Sequence, residues 1–227
     1  MHEYIELYNE LLSNLKKIEE KFLKPHLEDR LSTPEEYEED VKAFCILSHA
    51  LFENYFEQVA LMVLEKSTTQ WIEEKKLSTP LLTLLSYSNT RFDLLKDQEP
   101  YQSVYDRLKK VIEDAKKQLS KEIYNNHGAS EKYLRKILCP VSIDVPQDPT
   151  IINSLQKLAN ARGDYAHKHI KKTINPEDAK LYVSDCIRLS EDIKHRAIVI
   201  FYEQEYKTLI AQKLCDVLRN VIAKKEN

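Results

Sequence analysis

The chain does almost without glycine: two in 227 residues. With charged residues at 31%, that scarcity favours helices over sheet. A broad basic field is missing too. The formal net charge of −3 excludes a protein that coats nucleic acid non-specifically, while leaving room for a small local basic site. Cys45, Cys139, Cys186 and Cys215 stand far apart with no C-x-x-C pair, so they read as free thiols in a reducing compartment. No His/Cys/Asp cluster has metal-ligand spacing, and no metal or cofactor is expected. No signal peptide or membrane-length apolar run is visible, so the expectation is a soluble cytoplasmic protein without a membrane partner. Internal repeats and low-complexity segments are also lacking.

What is present is a 42% apolar share, enough for a core, arranged at helical spacing. The expectation is an all-α antiparallel helical bundle forming one domain over 1–227. Its core covers about 34–200, with a C-terminal helix and frayed tail over 201–227. Residues 3–29 read as a first helix with Ile5, Tyr8, Leu11, Leu12, Leu15, Ile18 and Phe22 on its apolar face, ended or kinked at Pro25. Thr33-Pro34 is a cap followed by proline at the first helical position, and starts a second helix to about 66. Its wide stripe, including Val41, Phe44, Cys45, Phe52, Phe56 and Val63, is the strongest core signal. His49 and Glu53 lie one turn apart on the flank of that stripe. They read either as an exposed or boundary pair, or with Glu53 as an acidic group facing a functional helix.

Thr79-Pro80 opens a short helix, and 88–99 reads as a loop. Pro100 opens a long helix to about 125, with Val104, Leu108, Val111, Ile112, Ala115, Leu119 and Ile123 inward. Asn125-Asn-His-Gly128 stops it, His127 reading as a surface loop histidine. A short helix over 129–138 and an ordered, proline-rich loop from Pro140 to Pro149 follow. Asn175-Pro176 starts a helical pattern that runs almost unbroken to about 222. That length predicts a break near 190–206, or an arm that packs on a partner subunit.

The stretch Asn160-Ala-Arg-Gly-Asp-Tyr-Ala-His-Lys-His169 carries the chemistry. It continues a helix whose apolar stripe is Ile151, Ile152, Leu155, Leu158 and Ala159. Asn160, Asp164, His167 and Lys171 fall at i, i+4, i+7 and i+11 and share a polar face. Arg162 falls about 140° around from His167 on an ideal helix. Either the helix distorts or ends here, or two copies of the motif meet. Gly163 favours distortion, since a mid-helix glycine costs roughly 1 kcal/mol relative to alanine. A histidine gives or takes a proton near neutral pH, and an arginine offers a fixed positive fork for a phosphate. Together they meet a minimal requirement for cutting RNA without metal, through the ribose 2′-OH. One histidine does not easily serve as base and acid at once. A two-fold dimer supplies two histidines and two arginines in one cleft.

The run Arg162-Gly-Asp-Tyr-Ala-His167 resembles the R-x(4–6)-H motif of the HEPN superfamily of helical ribonucleases and nucleotide-binding proteins. The segment "ILSHALFENYFEQVA" within 41–66 is similar to that family's second helix, and Glu53 matches its acidic position. The nearest groups are the small stand-alone, defence-associated HEPN proteins of RiboL-PSP type. The resemblance implies a helical homodimer with facing motifs and metal-independent endoribonuclease activity, with Arg162 and His167 as the essential pair. It implies that Asn160 and Asp164 orient or polarise that pair, and that Lys168, His169, Lys171 and Lys172 hold the RNA backbone. It further implies a toxin or antiviral defence effector restrained by an antitoxin or other defence-system protein. Gly163 departs from the family pattern, in which Asn, Asp or His commonly follows the arginine. Asp164, one place later, either supplies that polar group from a shifted backbone or the catalytic geometry is weakened. The departure motivates a second reading, a non-catalytic dimeric module that binds nucleotide or RNA or regulates a partner.

Overall fold

The computed structural model describes residues 1–29, 33–88, 103–126, 128–167 and 174–223, with side chains described except at 162–167 and 204–223. Among these residues every regular element is helical. α1 (His2–Ile18) buries Tyr4, Tyr8, Leu11 and Leu15 on one face. It widens into a π turn, Glu19–Leu23, and continues as α2 (Lys24–Glu28). Pro25 lies in the first turn of α2. Its ring and missing N–H disfavour a regular α turn behind it, and the wider turn accommodates both. The chain therefore bends its hydrogen-bond pattern at Pro25 and runs on to Glu28.

α3 (Pro34–Glu74) is the central element, with α1, α5, α7 and α8 packed around it. Its start is the expected cap: the Glu36 carboxylate accepts the Thr33 backbone N–H at 2.7 Å, and Pro34 follows. Val41, Phe44, Cys45, Phe52, Tyr55, Phe56, Val59, Ala60, Val63 and Leu64 are buried along it. The helix passes its expected end at 66. Ser67 and Thr68 are buried, and both hydroxyls donate to the Leu64 carbonyl, at 3.0 and 2.9 Å. These polar residues satisfy themselves inside the helix rather than terminating it. Lys75, with φ 58°, supplies the left-handed stop.

α4 (Thr79–Tyr87) is the expected short helix. α5 (Val104–Tyr124) is capped by Ser103, whose hydroxyl accepts the Asp106 N–H at 3.1 Å. The expected start at Pro100 lies outside the described residues. Val104, expected inward, is exposed, because it lies in the first turn, before the core face that begins with the half-buried Leu108. After α6 (Glu131–Leu138) and a 3₁₀ turn, Val141, Ile143 and Val145 are buried, which orders the proline-rich connection to α7. α7 (Pro149–His167) buries Ile151, Leu155, Leu158 and Ala161 against α3 and α8.

α8 (Pro176–Ala223) starts at the Asn175 cap, which accepts the Asp178 N–H at 2.7 Å. Ala179, Val183, Cys186, Leu189, Ile193, Ala197 and Ile198 form its buried face. The helix breaks at Tyr202 (φ −133°, ψ 32°), inside the window that its length predicts. Lys66 holds the break from α3, its ammonium over the Tyr202 ring at 3.8 Å and the Phe201 ring at 5.1 Å. No described helix is long and apolar enough to cross a membrane. Cys45 and Cys186 are buried free thiols and Cys139 is half-buried; the Cys215 side chain lies outside the described residues.

Candidate active site

The last turn of α7 carries the motif, and its placement begins with the apolar stripe two turns earlier. Leu155 and Leu158 are fully buried, which fixes the face α7 turns to the core. Between them and the helix start, the Ser154 hydroxyl donates to the buried Asp185 carboxylate of α8 at 2.6 Å. Arg188 reaches the other carboxylate oxygen at 3.4 Å. A buried carboxylate needs such partners, and the pairing fixes the register of α7 on α8.

α7 is helical without interruption through Gly163 to His167. The helix therefore does not end at the glycine. On a continuous helix, positions 162 and 167 stay about 140° apart around the axis. Of the expected site residues on this helix, Asn160 is exposed and accepts a hydrogen bond from Gln156 Nε2 at 2.7 Å. The side chains of Arg162, Asp164 and His167 lie outside the described residues. So do Lys168, His169, Lys171 and Lys172 entirely.

The acidic position, Glu53, is on α3 with its side chain 18% exposed. His49, one turn before it, is 2% exposed. It is therefore a core residue, not the exposed or boundary member of a pair. The cause lies far along the chain. The backbone N–H of Ala129 donates to His49 Nε2 at 3.2 Å, closing a turn after α5 over the α3 surface. Gly128 allows that turn, with φ +155°, a conformation L side chains rarely adopt. Asn126 clips the same turn one helical turn beyond Glu53: its Nδ2 donates to Glu57 Oε1 at 2.9 Å and to the Gly128 carbonyl at 3.0 Å. His49, Glu53 and Glu57 stand at i, i+4 and i+8, one face of α3, and the turn is held at both ends of that row. His127, inside the turn, lies outside the described residues.

His49 Nδ1 stands 3.7 Å from Glu53 Oε2. A ring nitrogen that accepts an N–H carries no proton, so His49 bears its hydrogen on Nδ1, the nitrogen nearer the carboxylate. Sequence reasoning missed Asn126 and the Ala129 contact. Asn125-Asn-His-Gly128 signals a helix stop, but nothing in it names the helix that the stop folds against. Among the described residues no group of three or more His, Cys, Asp or Glu is placed to hold a metal ion.

Compared with known proteins, the chain matches the family model described as RiboL-PSP-HEPN over residues 2–197, a span that ends just before the break at Tyr202. No curated protein and no solved structure matches.

Proposed function

The chain belongs to the RiboL-PSP-HEPN family, and from that premise we propose that it is a metal-independent endoribonuclease working as a homodimer. The observation that carries the proposal is the Arg162-x4-His167 pair at the end of a helix that stays continuous through Gly163. One such helix does not turn both positions toward one phosphate. Two copies of α7 meeting across a two-fold axis supply a histidine and an arginine from opposite sides.

In that cleft one His167 takes the proton from a ribose 2′-OH. The oxygen attacks the adjacent phosphorus and the P–O5′ bond breaks. A protonated His167, that of the other copy, gives its proton to the leaving 5′ oxygen. Products are a 2′,3′-cyclic phosphate and a 5′-OH end, with no net redox change. Arg162 stabilises the charge that gathers on the phosphoryl oxygens. Asn160, Asp164 and Glu53 orient these groups, and Lys168, His169, Lys171 and Lys172 hold the RNA backbone. DNA, without a 2′-OH, is inert by this route. The cellular role we propose is a toxin or antiviral defence effector restrained by a partner protein.

The test is purified protein with RNA in excess EDTA. Cleavage that survives chelation, leaves 2′,3′-cyclic phosphate ends and disappears in both His167→Ala and Arg162→Ala supports the reading. Equal behaviour of wild type and both variants defeats it. Gly163, in the place where the resemblance leads one to expect a polar residue, favours a second reading: a dimeric module that binds without cutting. RNA retained intact on the wild-type protein is the outcome that selects it.

A further inference from the structure

We propose that His49 is a positioning residue of this site: held as a neutral Nδ1–H donor by the backbone of the 125–129 turn, it sets the carboxylate of Glu53. The proposal rests on the ribonuclease reading for what Glu53 does, but its geometry stands on α3 and the turn alone.

Three observations join. The Ala129 N–H is buried and donates to His49 Nε2 at 3.2 Å. Protonating Nε2 would set two N–H groups against each other in a buried place and leave both without an acceptor, so that nitrogen stays bare. The remaining ring hydrogen is on Nδ1, and the Glu53 Oε2 atom lies 3.7 Å away. The turn that imposes this is itself pinned, by Gly128 at φ +155° and by Asn126 bonded to Glu57. The ring is therefore fixed by its far side, and its near side addresses the carboxylate.

The choice of a neutral donor matters. A lysine or arginine at this place would cancel the carboxylate charge. A histidine locked in its Nδ1–H form limits where the carboxylate can sit and leaves the negative charge available to neighbouring groups. The 3.7 Å separation is longer than a hydrogen bond, and catalytic contacts of this kind tighten when substrate arrives. A histidine kept only to accept the Ala129 N–H would need the bare Nε2 but not the carboxylate.

The experiment has two arms. In the first, the ring nitrogens of 15N-histidine protein are observed by NMR at neutral pH, with His49 assigned from the signals lost in His49→Gln. The expected result is the Nδ1–H tautomer, with its Nδ1 resonance displaced in Glu53→Gln. An Nε2–H tautomer, or a resonance indifferent to Glu53→Gln, overturns the proposal whether or not the protein cuts RNA. In the second arm, cleavage is measured for His49→Gln, Glu53→Gln and the double variant. Losing one hydrogen bond to a charged group predicts about a tenfold fall in kcat for His49→Gln with little change in KM. The double variant should be no slower than Glu53→Gln, because His49 acts only through it. Multiplying losses overturn the positioning role. Wild-type protein that cuts no RNA defeats the ribonuclease reading and leaves the first arm to decide the His49 contact. His49→Asn, which keeps an N–H donor near the Nδ1 place, should recover cleavage relative to His49→Gln. Failure of that rescue, with both variants shown to unfold at the same urea concentration, counts against it.

Discussion

The Ser154 hydroxyl lies 2.6 Å from an Asp185 carboxylate oxygen, and both residues are buried between α7 and α8. Ser154→Ala removes the donor and leaves that oxygen without this bond. Arg188, at 3.4 Å from the other oxygen, still neutralises part of the charge. The expected cost is about 1–3 kcal/mol, the penalty of an unsatisfied buried acceptor. Urea unfolding followed by circular dichroism reads it as a lower midpoint with an unchanged slope. No change in midpoint would mean that the pair does not hold the two helices in register.

High pH should unfold the protein through its buried acids. Burial pushes the Cys45 thiol up from 9.0 to about 12. Burial, with a smaller push from Glu191, takes Tyr8 from 10.0 to about 12. Burial raises Cys186, Tyr4 and Tyr55 as well. Below pH 9 these groups are neutral in both folded and unfolded chains, and they cost nothing. As pH rises past the ordinary values, the unfolded chain ionises first, and stability falls until the folded values are reached. The expected outcome is a urea midpoint that is steady up to about pH 9 and declines above it. The tyrosinate absorbance of the buried Tyr4 and Tyr55, read as the difference from Tyr4→Phe and Tyr55→Phe proteins, should then appear together with loss of helix, not before it.

Much of the architecture is legible in local pattern, and what is not legible depends on distant partners. Thr33-Pro34 and Asn175-Pro176 announce helix starts because a cap and a proline act within one turn. The stripe from Val41 to Leu64 is readable because burial repeats at helical spacing. The second helix reads only to about 66, yet Ser67 and Thr68 carry it on by bonding back to Leu64 inside the packed core. His49 looks like a flank residue because its partner, Ala129, is 80 positions away and contributes only a backbone N–H. Gly163 looks like a distortion, but a glycine permits a bend without requiring one. The motif pair stands out in sequence, whereas the turn over the Glu53 row does not.

The continuous α7 gives Gly163 a measurable signature. A glycine inside a helix costs up to about 1 kcal/mol relative to alanine. Gly163→Ala should therefore raise the thermal midpoint. Gly163→Asn restores the kind of residue that the HEPN resemblance places after the arginine. The expected result is faster RNA cleavage than wild type with little change in stability. A Gly163→Ala protein that melts earlier would show that another backbone approaches this position closely.

The strongest demand on the dimeric site comes from mixing two dead proteins. If each cleft draws His167 and Arg162 from both copies, His167→Ala homodimers lack both proton carriers and Arg162→Ala homodimers lack both phosphate forks. A mixed dimer holds one copy of each defect, and its cleft keeps one intact histidine and one intact arginine. With a single histidine, one of the two proton transfers has no carrier, so co-refolding the two variants from urea should recover only a small part of the wild-type cleavage, and that activity should still tolerate EDTA. The recovered fraction should track the content of mixed dimers, measured by native mass spectrometry with one variant isotopically heavy. Mixed dimers that cut as fast as wild type would mean that a single histidine suffices, and would end the two-histidine composite-site reading.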